Sequence, residues 1–282
     1  MKKVTFLIIT CFCFVTDVII AQTNSNEGLT VEEMAKKRQD PVSGLRSVFL
    51  QEVLLPVADG TAQSFSIQPV WPFRLAKNLK LITYTIIPFQ SVPITNNVGQ
   101  VPVHPITLQS SNSDCSGGLG NILFNGYFSS IEKKGKISWG AGPAIQLPTR
   151  TNAILGSNRV SLGPSVLFNR AGDIFSIGFV AQNYWSLGGE GANKVNSFSL
   201  QYMSYYNLPK GWFLESNATI VNNWLAEKDQ KMLLPLGGGA GKTFKIGQSK
   251  LFYCGAAQIF YNAVRPDIVG SWQAMFQLQV IM

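Results

Sequence analysis

Charge is scarce in this chain. Asp, Glu, Lys and Arg supply 13% of its 282 residues, where a soluble globular domain carries about 25%. A surface facing water on every side is hard to build from so few. Histidine occurs once, at His104, and no cluster of Cys and His exists. A metal site therefore has no evident ligand set, and no metal or other cofactor is expected. Cysteine is almost absent too. Of the four, Cys11 and Cys13 fall in an apolar N-terminal stretch, which leaves too few for a disulfide framework. Beyond that stretch no run approaches the roughly 18 uninterrupted apolar residues of a membrane-crossing helix.

The N-terminal stretch has its own logic. Lys2 and Lys3 precede an apolar segment, 4–20, interrupted by Asp17, and Ala21-Gln22 offers a cleavage point. That is the layout of a secretory signal peptide over 1–21. Cys11 and Cys13 lie too early for a lipoprotein. After cleavage Cys115, in the longest loop, and Cys254, within a strand, are left, a placement that disfavours a bond between them. The rest divides into an N-terminal segment, 22–43, and one further unit, 44–282. Residues 22–28 are expected to be disordered. Thr30 and Glu33 form a capping box, so a short helix should run through Lys37 and stop before Pro41. It is expected to be periplasmic, lying below the later unit or entering it.

What the chain has in quantity is glycine (26), phenylalanine (18) and alternation. From residue 44 it breaks into about a dozen amphipathic runs, near 45–54, 63–75, 79–91, 117–130, 136–148, 158–169, 174–187, 195–207, 212–224, 231–244, 250–263 and 270–282. The breaks between them alternate. Short ones lie at 76–78, 131–135, 170–173, 208–211 and 245–249; longer or irregular ones at 56–62, 92–116, 150–158, 188–194, 225–230 and 264–269. Strands of spanning length, with tight turns on one side and loops on the other, are how a transmembrane antiparallel β-barrel reads. An even number brings both ends to one side, and twelve satisfies that.

Within the runs the period is two. Val160, Leu162, Pro164, Val166 and Phe168 share one face; Ser161, Gly163, Ser165 and Asn169 share the other. Phe175, Ile177, Phe179 and Ala181 oppose Ser176, Gly178 and Gln182 in the same way. Successive strand side chains point to opposite faces, so each wall has a greasy and a polar side. A soluble sandwich also alternates, with its apolar faces turned inward. Aromatic placement selects the membrane version. Trp71, Phe73, Trp139, Phe175, Tyr206, Trp212 and Phe252 lie toward the short turns, and Phe89, Trp185, Trp224, Tyr261 and Trp272 toward the loops. Two belts at two interfaces are what amphipathic rings form. Arg74, Lys77, Lys80, Lys133, Lys134, Lys136, Arg170, Lys210, Lys242, Lys245 and Lys250 gather at the short turns. They either solvate the turns or attract an anionic head group there; nucleic acid is not expected as a partner.

Four segments carry a resemblance. They are Ala35-Lys36-Lys37-Arg38-Gln39-Asp40-Pro41-Val42, Ile67-Gln68-Pro69-Val70-Trp71-Pro72-Phe73, Gly117-Gly118-Leu119-Gly120-Asn121-Ile122 and Trp139-Gly140-Ala141-Gly142-Pro143. In order and spacing the series resembles the outer-membrane transporters grouped with the meta-pathway phenol-degradation proteins, some of which carry the label neuromedin U. Asn121 departs from the pattern, where many members have Asp. The resemblance implies an outer-membrane barrel with a transport role, and it carries no catalytic residues.

Some chemistry is tempting and fails. The run Gly237-Gly238-Gly239-Ala240-Gly241-Lys242-Thr243 looks like a phosphate loop, but Leu236 occupies the position that pattern gives to glycine, and no helix pattern follows. Small residues for strand curvature or close packing are the plainer reading. An outer-membrane lipid-acting enzyme would need a serine with a positioned base. His104, between Val103 and Pro105 in the longest loop, is badly placed for that, so no catalytic residue is assigned.

The candidate solute-facing residues of the lumen are Glu215, Asn217, Gln146, Gln182, Arg159 and Gln277. Glu215 is either a selecting carboxylate or the partner of a basic lumen neighbour such as Arg159. Tyr84 and Tyr184 would fill the lumen, whereas Ser138, Gly140, Gly142 and Ser161 would leave space or accommodate the helix. The expectation is thus a monomeric, all-β, roughly twelve-stranded outer-membrane barrel with a short N-terminal periplasmic helix. Its partners are outer-membrane lipid, the barrel-assembly machinery that reads the alternating last strand, and an unidentified small solute. Passive transport of small apolar or aromatic solutes is the preferred function. A closed barrel that binds or adheres through its loops is the alternative, and 92–116 is long enough to fold inward.

Overall fold

The computed structural model describes residues 28–58, 60–93, 101–103, 106–108, 115–132, 135–187, 194–247 and 249–282. The expected leader, residues 22–27 and His104 lie outside them. The one α-helix among the described residues, α1 (Val31–Lys37), starts at Thr30 with both halves of the capping box formed. Glu33 N–H donates to Thr30 Oγ1 at 3.2 Å, and Thr30 N–H donates to Glu33 Oε2 at 2.8 Å. Seven residues do not hold a helix in water by themselves. This one is held by Met34, buried with Leu45, Phe252 and Ile281. Gly211 makes the approach possible: with φ at +75°, it has no Cβ where one would lie 2.4 Å from Val31 Cγ1.

The wall is built from β1 (Ser47–Val57), β2 (Gly60–Arg74), β3 (Leu79–Pro93), β6 (Cys115–Leu119), β7 (Ile122–Ser130), β8 (Ile137–Leu147), β9 (Ser161–Arg170), β10 (Phe175–Ser186), β11 (Asn196–Asn207), β12 (Trp212–Asn223), β13 (Met232–Phe244), β14 (Phe252–Val264) and β15 (Trp272–Ile281). A small hairpin, β4 (Val101–Val103) and β5 (Ile106–Leu108), stands apart from it. β6 and β7 both pair with β3 and act as one broken wall strand, so the barrel has twelve. Every pairing is antiparallel between neighbours, and β1 on β15, with Ser47 opposite Ile281, closes the ring. Closure leaves no edge of unpaired backbone in lipid.

Three sequence expectations need correction. The run at 117–130 is broken: Phe89 pairs with Leu119 but Ile86 with Leu123, one residue out of step, which is a bulge. Gly120 N–H turns instead to Pro88 O. The break at 56–62 is a tight turn, since β1 and β2 remain paired as far as Val57 and Gly60. Cys115 opens β6 rather than lying in the loop, while Cys254 is a buried free thiol.

The alternation is real and inverted with respect to a soluble protein. Ser161, Ser165 and Asn169 are buried, while Leu162, Val166 and Val160 face outward. Trp139, at 60% exposure, leads the outward belt of the turn end, and Tyr261, Trp224 and Trp185 that of the loop end. Phe252 is the exception in the belts. It points into the lumen, fully buried, because helix α1 rests on it.

The cap makes α1 acid-sensitive. The Thr30 backbone N–H, then the Thr30 hydroxyl, hold the Glu33 carboxyl below its ordinary value of 4.5. A carboxyl lowered on folding contributes above its unfolded value, and that contribution is lost as pH falls through the lowered one. Amide exchange over 31–37, compared with that of the wall, should therefore accelerate selectively on acidification below about pH 4. Equal protection at pH 3 and pH 6, after correction for intrinsic rates, would show that the cap contributes nothing.

Candidate functional site: a plugged lumen with a break in its wall

After Lys37 the chain enters the barrel. Arg38, Gln39, Asp40, Val42 and Leu45 are all buried. Gln39 Nε2 donates to Asn207 Oδ1 at 2.7 Å, and Lys80 Nζ donates to Val42 O at 2.6 Å. Asp40 Oδ1 accepts from Ser138 Oγ at 2.7 Å and from Val42 N–H at 3.1 Å. Ser138 and Gly140 face this segment, Val42 Cγ1 lying 3.5 Å from where a Gly140 Cβ would be. The space left by small residues thus accommodates the segment that follows the helix.

Arg38 is the centre of the plug. Its guanidinium lies 3.8 Å from Glu215 Oε2, both side chains being almost wholly buried. It also sits 4.1 Å from the Phe213 ring centroid and 5.5 Å from that of Tyr205. A cation withdrawn from water is stabilised by such ring faces and by a counter-charge. The partner of Glu215 is therefore Arg38 and not Arg159, which lies in the connection before β9. Glu215 Oε1 accepts from Gln258 Nε2 at 2.8 Å. Gln258 in turn accepts the Asn217 backbone N–H at 2.9 Å. Glu215 and Gln258 sit opposite the same residue of β13, Gly239. With no side chain there, they meet directly across it, and the glycine run that imitated a phosphate loop serves this contact.

Above the plug lies a cavity of about 150 Å³. Tyr84, Tyr127, Tyr205 and Met203 supply ring and thioether surface; Gln51, Gln68, Gln201 and Gln273 supply amides. Of the residues singled out in the sequence, Gln182, Asn217 and Gln277 line it. Glu215 lies outside its lining, engaged with the plug. Gln146 sits near the loop end of β8, opposite Ser161, and with Arg159 is remote from the cavity. Tyr184 is buried in the lumen, and the Tyr84 hydroxyl donates to Gln68 Oε1. Toward the loop end an apolar cluster that includes Leu55, Val57, Val92, Ile154, Leu155 and Val269 fills the mouth. The hairpin crosses that mouth: β4 approaches β12, and β5 approaches β2 and β3 on the far side of the ring.

The wall itself is interrupted. Between β12 and β13 pairing stops after Glu215 with Gly239 and resumes at Val221 with Leu233. Other interrupted seams skip two or three residues, as β2 and β3 do at Pro69. At the β12–β13 seam Pro235 has no N–H to offer, and the register of β13 with β14 shifts beside it. Side chains meet the stranded backbone groups. Tyr202 Oη donates to Pro235 O at 3.0 Å, Ser216 Oγ donates to Gly237 O at 2.5 Å, and Gln258 takes the Asn217 N–H. Ala218, in this stretch, belongs to one apolar cluster with Leu233, Phe260 and Met275 of the lumen and with Tyr202. Sequence reading offered entry of the N-terminal segment into the barrel as one alternative but missed the seam, of which Pro235 within a strand was the one visible sign.

No family model and no curated protein matches the sequence. An outer membrane channel from Pseudomonas putida F1 has the same fold: it superposes on 93% of this chain and 99% of its own, with a TM-score of 0.57 at 14% identity. Outer membrane phospholipase A from Escherichia coli superposes more loosely, with a TM-score of 0.41 at 10% identity over 89% of this chain and 96% of its own. The Pseudomonas putida toluene transporter does so with a TM-score of 0.38 at 11% identity over 88% and 92%. Overlaps that loose do not inform function.

Replacing Arg38 by Ala strands the Glu215 carboxylate, a change that costs about 3–5 kcal/mol for a buried pair. Departure of 38–45 from the lumen relieves it. Single-channel recordings of Arg38→Ala should show conductance raised several-fold, with Arg38→Ala/Glu215→Gln nearer to wild type. Unchanged conductance in the single variant would mean that this pair does not hold the plug.

Proposed function

We propose that the protein is an outer-membrane channel for small apolar or aromatic solutes, which leave the lumen sideways between β12 and β13. The break in that seam carries the reading. A water-soluble solute moving straight through the lumen meets the plug. An apolar one meets contiguous apolar packing that it could part, from Val92 and Leu155 at the mouth, past Phe260 and Met275, to Leu233 and Ala218 at the seam. The cavity volume, about 150 Å³, equals that of an engineered protein cavity that binds benzene. The amides and tyrosine hydroxyls around it suit a solute with one hydroxyl, such as a phenol. The sequence resemblance to phenol-pathway transporters agrees with this choice. The toluene transporter is a much looser likeness and adds nothing to it.

The plug favours a second reading, a closed barrel that works through its loops. Transport separates the two. In intact cells the lipopolysaccharide leaflet is the barrier to apolar solutes, so phenol and toluene uptake should rise on expression of the wild-type protein. Ala218→Trp, which fills the seam from the wall, should cut that gain about fivefold or more while the barrel still shows heat-modifiable mobility. Liposomes bearing either protein should not swell in small sugars. Swelling in sugars that Ala218→Trp leaves unchanged would assign transport to the lumen axis. No uptake of any solute by the folded wild type would favour the closed barrel.

A further inference from the structure

The charge of this barrel is sorted by end. In the turns at 74–80, 130–137, 170–175, 207–212 and 242–252, eleven Lys and Arg stand against two acids, Glu132 and Asp173; one of the eleven, Lys80, turns inward to Val42 O. In the connections at the other end, 57–60, 93–115, 147–161, 186–196, 223–232 and 264–272, six Lys and Arg stand against six acids. Solvating a turn requires polarity but no particular sign, so solvation alone does not sort charge this way. Among the described residues one ion pair occupies a cation of the turn rim, Lys136 Nζ to Asp173 Oδ2 at 2.7 Å. Lys77, Arg170 and Lys210 are exposed; Lys245 is exposed too, with its Nζ 4.1 Å from the Phe252 ring centroid.

A second observation says what the cations face. Large aliphatic side chains stand exposed beside them: Leu75 at 51% near Arg74 and Lys77, Ile174 at 62% near Arg170, Ile246 at 58% next to Lys245. Leu208 does the same near Lys210. Lys242 Nζ lies 5.0 Å from the centroid of Trp212, a ring of the outward belt. Single exposed apolar residues need no explanation, but one beside the cations at turn after turn does. A soluble acidic partner would satisfy the charges and leave the aliphatic groups in water. A phospholipid satisfies both, with its phosphate on the cation and its acyl chain beside the Leu or Ile.

We propose that the turn rim is a docking surface for the headgroups of anionic phospholipids in the periplasmic leaflet of the outer membrane. The proposal takes the turn end as periplasmic but does not require that anything pass through the barrel. Each Lys or Arg near an anionic surface favours it by about fivefold at ordinary ionic strength, and salt screens the effect.

Tryptophan quenching reads this directly, because Trp71, Trp139 and Trp212 lie toward the turn end. The refolded chain is placed in phosphatidylcholine vesicles containing brominated phosphatidylglycerol or brominated phosphatidylcholine, and relative binding constants are taken from the quenching. Phosphatidylglycerol should be preferred several-fold at low salt, and the preference should fall toward one near 0.5 M salt. Arg74→Gln/Lys77→Gln/Lys210→Gln/Lys245→Gln should lose it, and the loop-end variant Lys228→Gln/Lys231→Gln should keep it, both with unchanged heat-modifiable mobility. Equal quenching by the two lipids would overturn the proposal. So would a preference that the turn-end variant retains. Phenol uptake is independent of either result, so failure of the lipid site and failure of the channel reading are distinguishable.

Discussion

A guanidinium buried inside a membrane barrel organises the rest of the lumen. Arg38 cannot be left unpaired there, and the groups that accommodate it come from three strands of the wall. Glu215 lies on β12 with Phe213 beside it, Tyr205 on β11, and Gln279, whose Oε1 accepts at 3.5 Å, on β15. The pair is not a forked, close one. Its worth lies in fixing where the segment sits rather than in raw stability, since a well-packed apolar substitute for a buried ion pair is often as stable. With Arg38 fixed, Asp40 reaches Ser138, Val42 O reaches Lys80, and α1 is drawn onto Phe252. The plug is therefore a consequence of one charge and its cage.

The wall obeys a different constraint. In hydrocarbon every backbone N–H and C=O must find a partner within the protein. Twelve strands paired in a ring meet that demand almost everywhere. A proline removes one donor from that ring, and beside Pro69 and Pro235 the ladder skips. At Pro69 the skip is two residues, and the ladder resumes at Val70 with Tyr84. At Pro235 it is longer, and Tyr202, Ser216 and Gln258 substitute. A hydrogen bond from a side chain can be withdrawn by a rotamer change, whereas one in a ladder cannot be withdrawn without moving a strand. The β12–β13 seam is for that reason the part of the wall least costly to part.

Much of this barrel was legible in the sequence because a strand wall has a local signal. Period two, turn composition and aromatic spacing each depend on residues close together in the chain, so all twelve wall segments could be placed. The bulge between Leu119 and Ile122 could not, since it depends on Pro88 and Ser157 from other segments. Phe252 was assigned to the belt on position alone, and helix α1 reverses it. Glu215 was recognised as facing inward from its own strand, yet its partner was sought in Arg159. The true partner, Arg38, lies far away in the chain, in a segment that carries no strand period. Contacts between distant segments leave no periodic trace, and the interior of this barrel consists of such contacts.

The plug and the seam are joined through a single amide. Gln258 donates to Glu215, which faces Arg38, and accepts from Asn217 N–H in the stretch of β12 that lacks its ladder. Its orientation is fixed by both: an amide that turned to suit one neighbour would present the wrong atom to the other. If Arg38 leaves, Glu215 loses its counter-charge and is free to reorient, and Gln258 loses its acceptor. Asn217 N–H then depends on an amide that nothing else holds in place. An unpaired N–H in this dry wall is costly, so the seam is weakened by an event at the plug. The seat of the plug and the integrity of the β12–β13 seam are thus coupled by the geometry of one side chain reaching over a glycine.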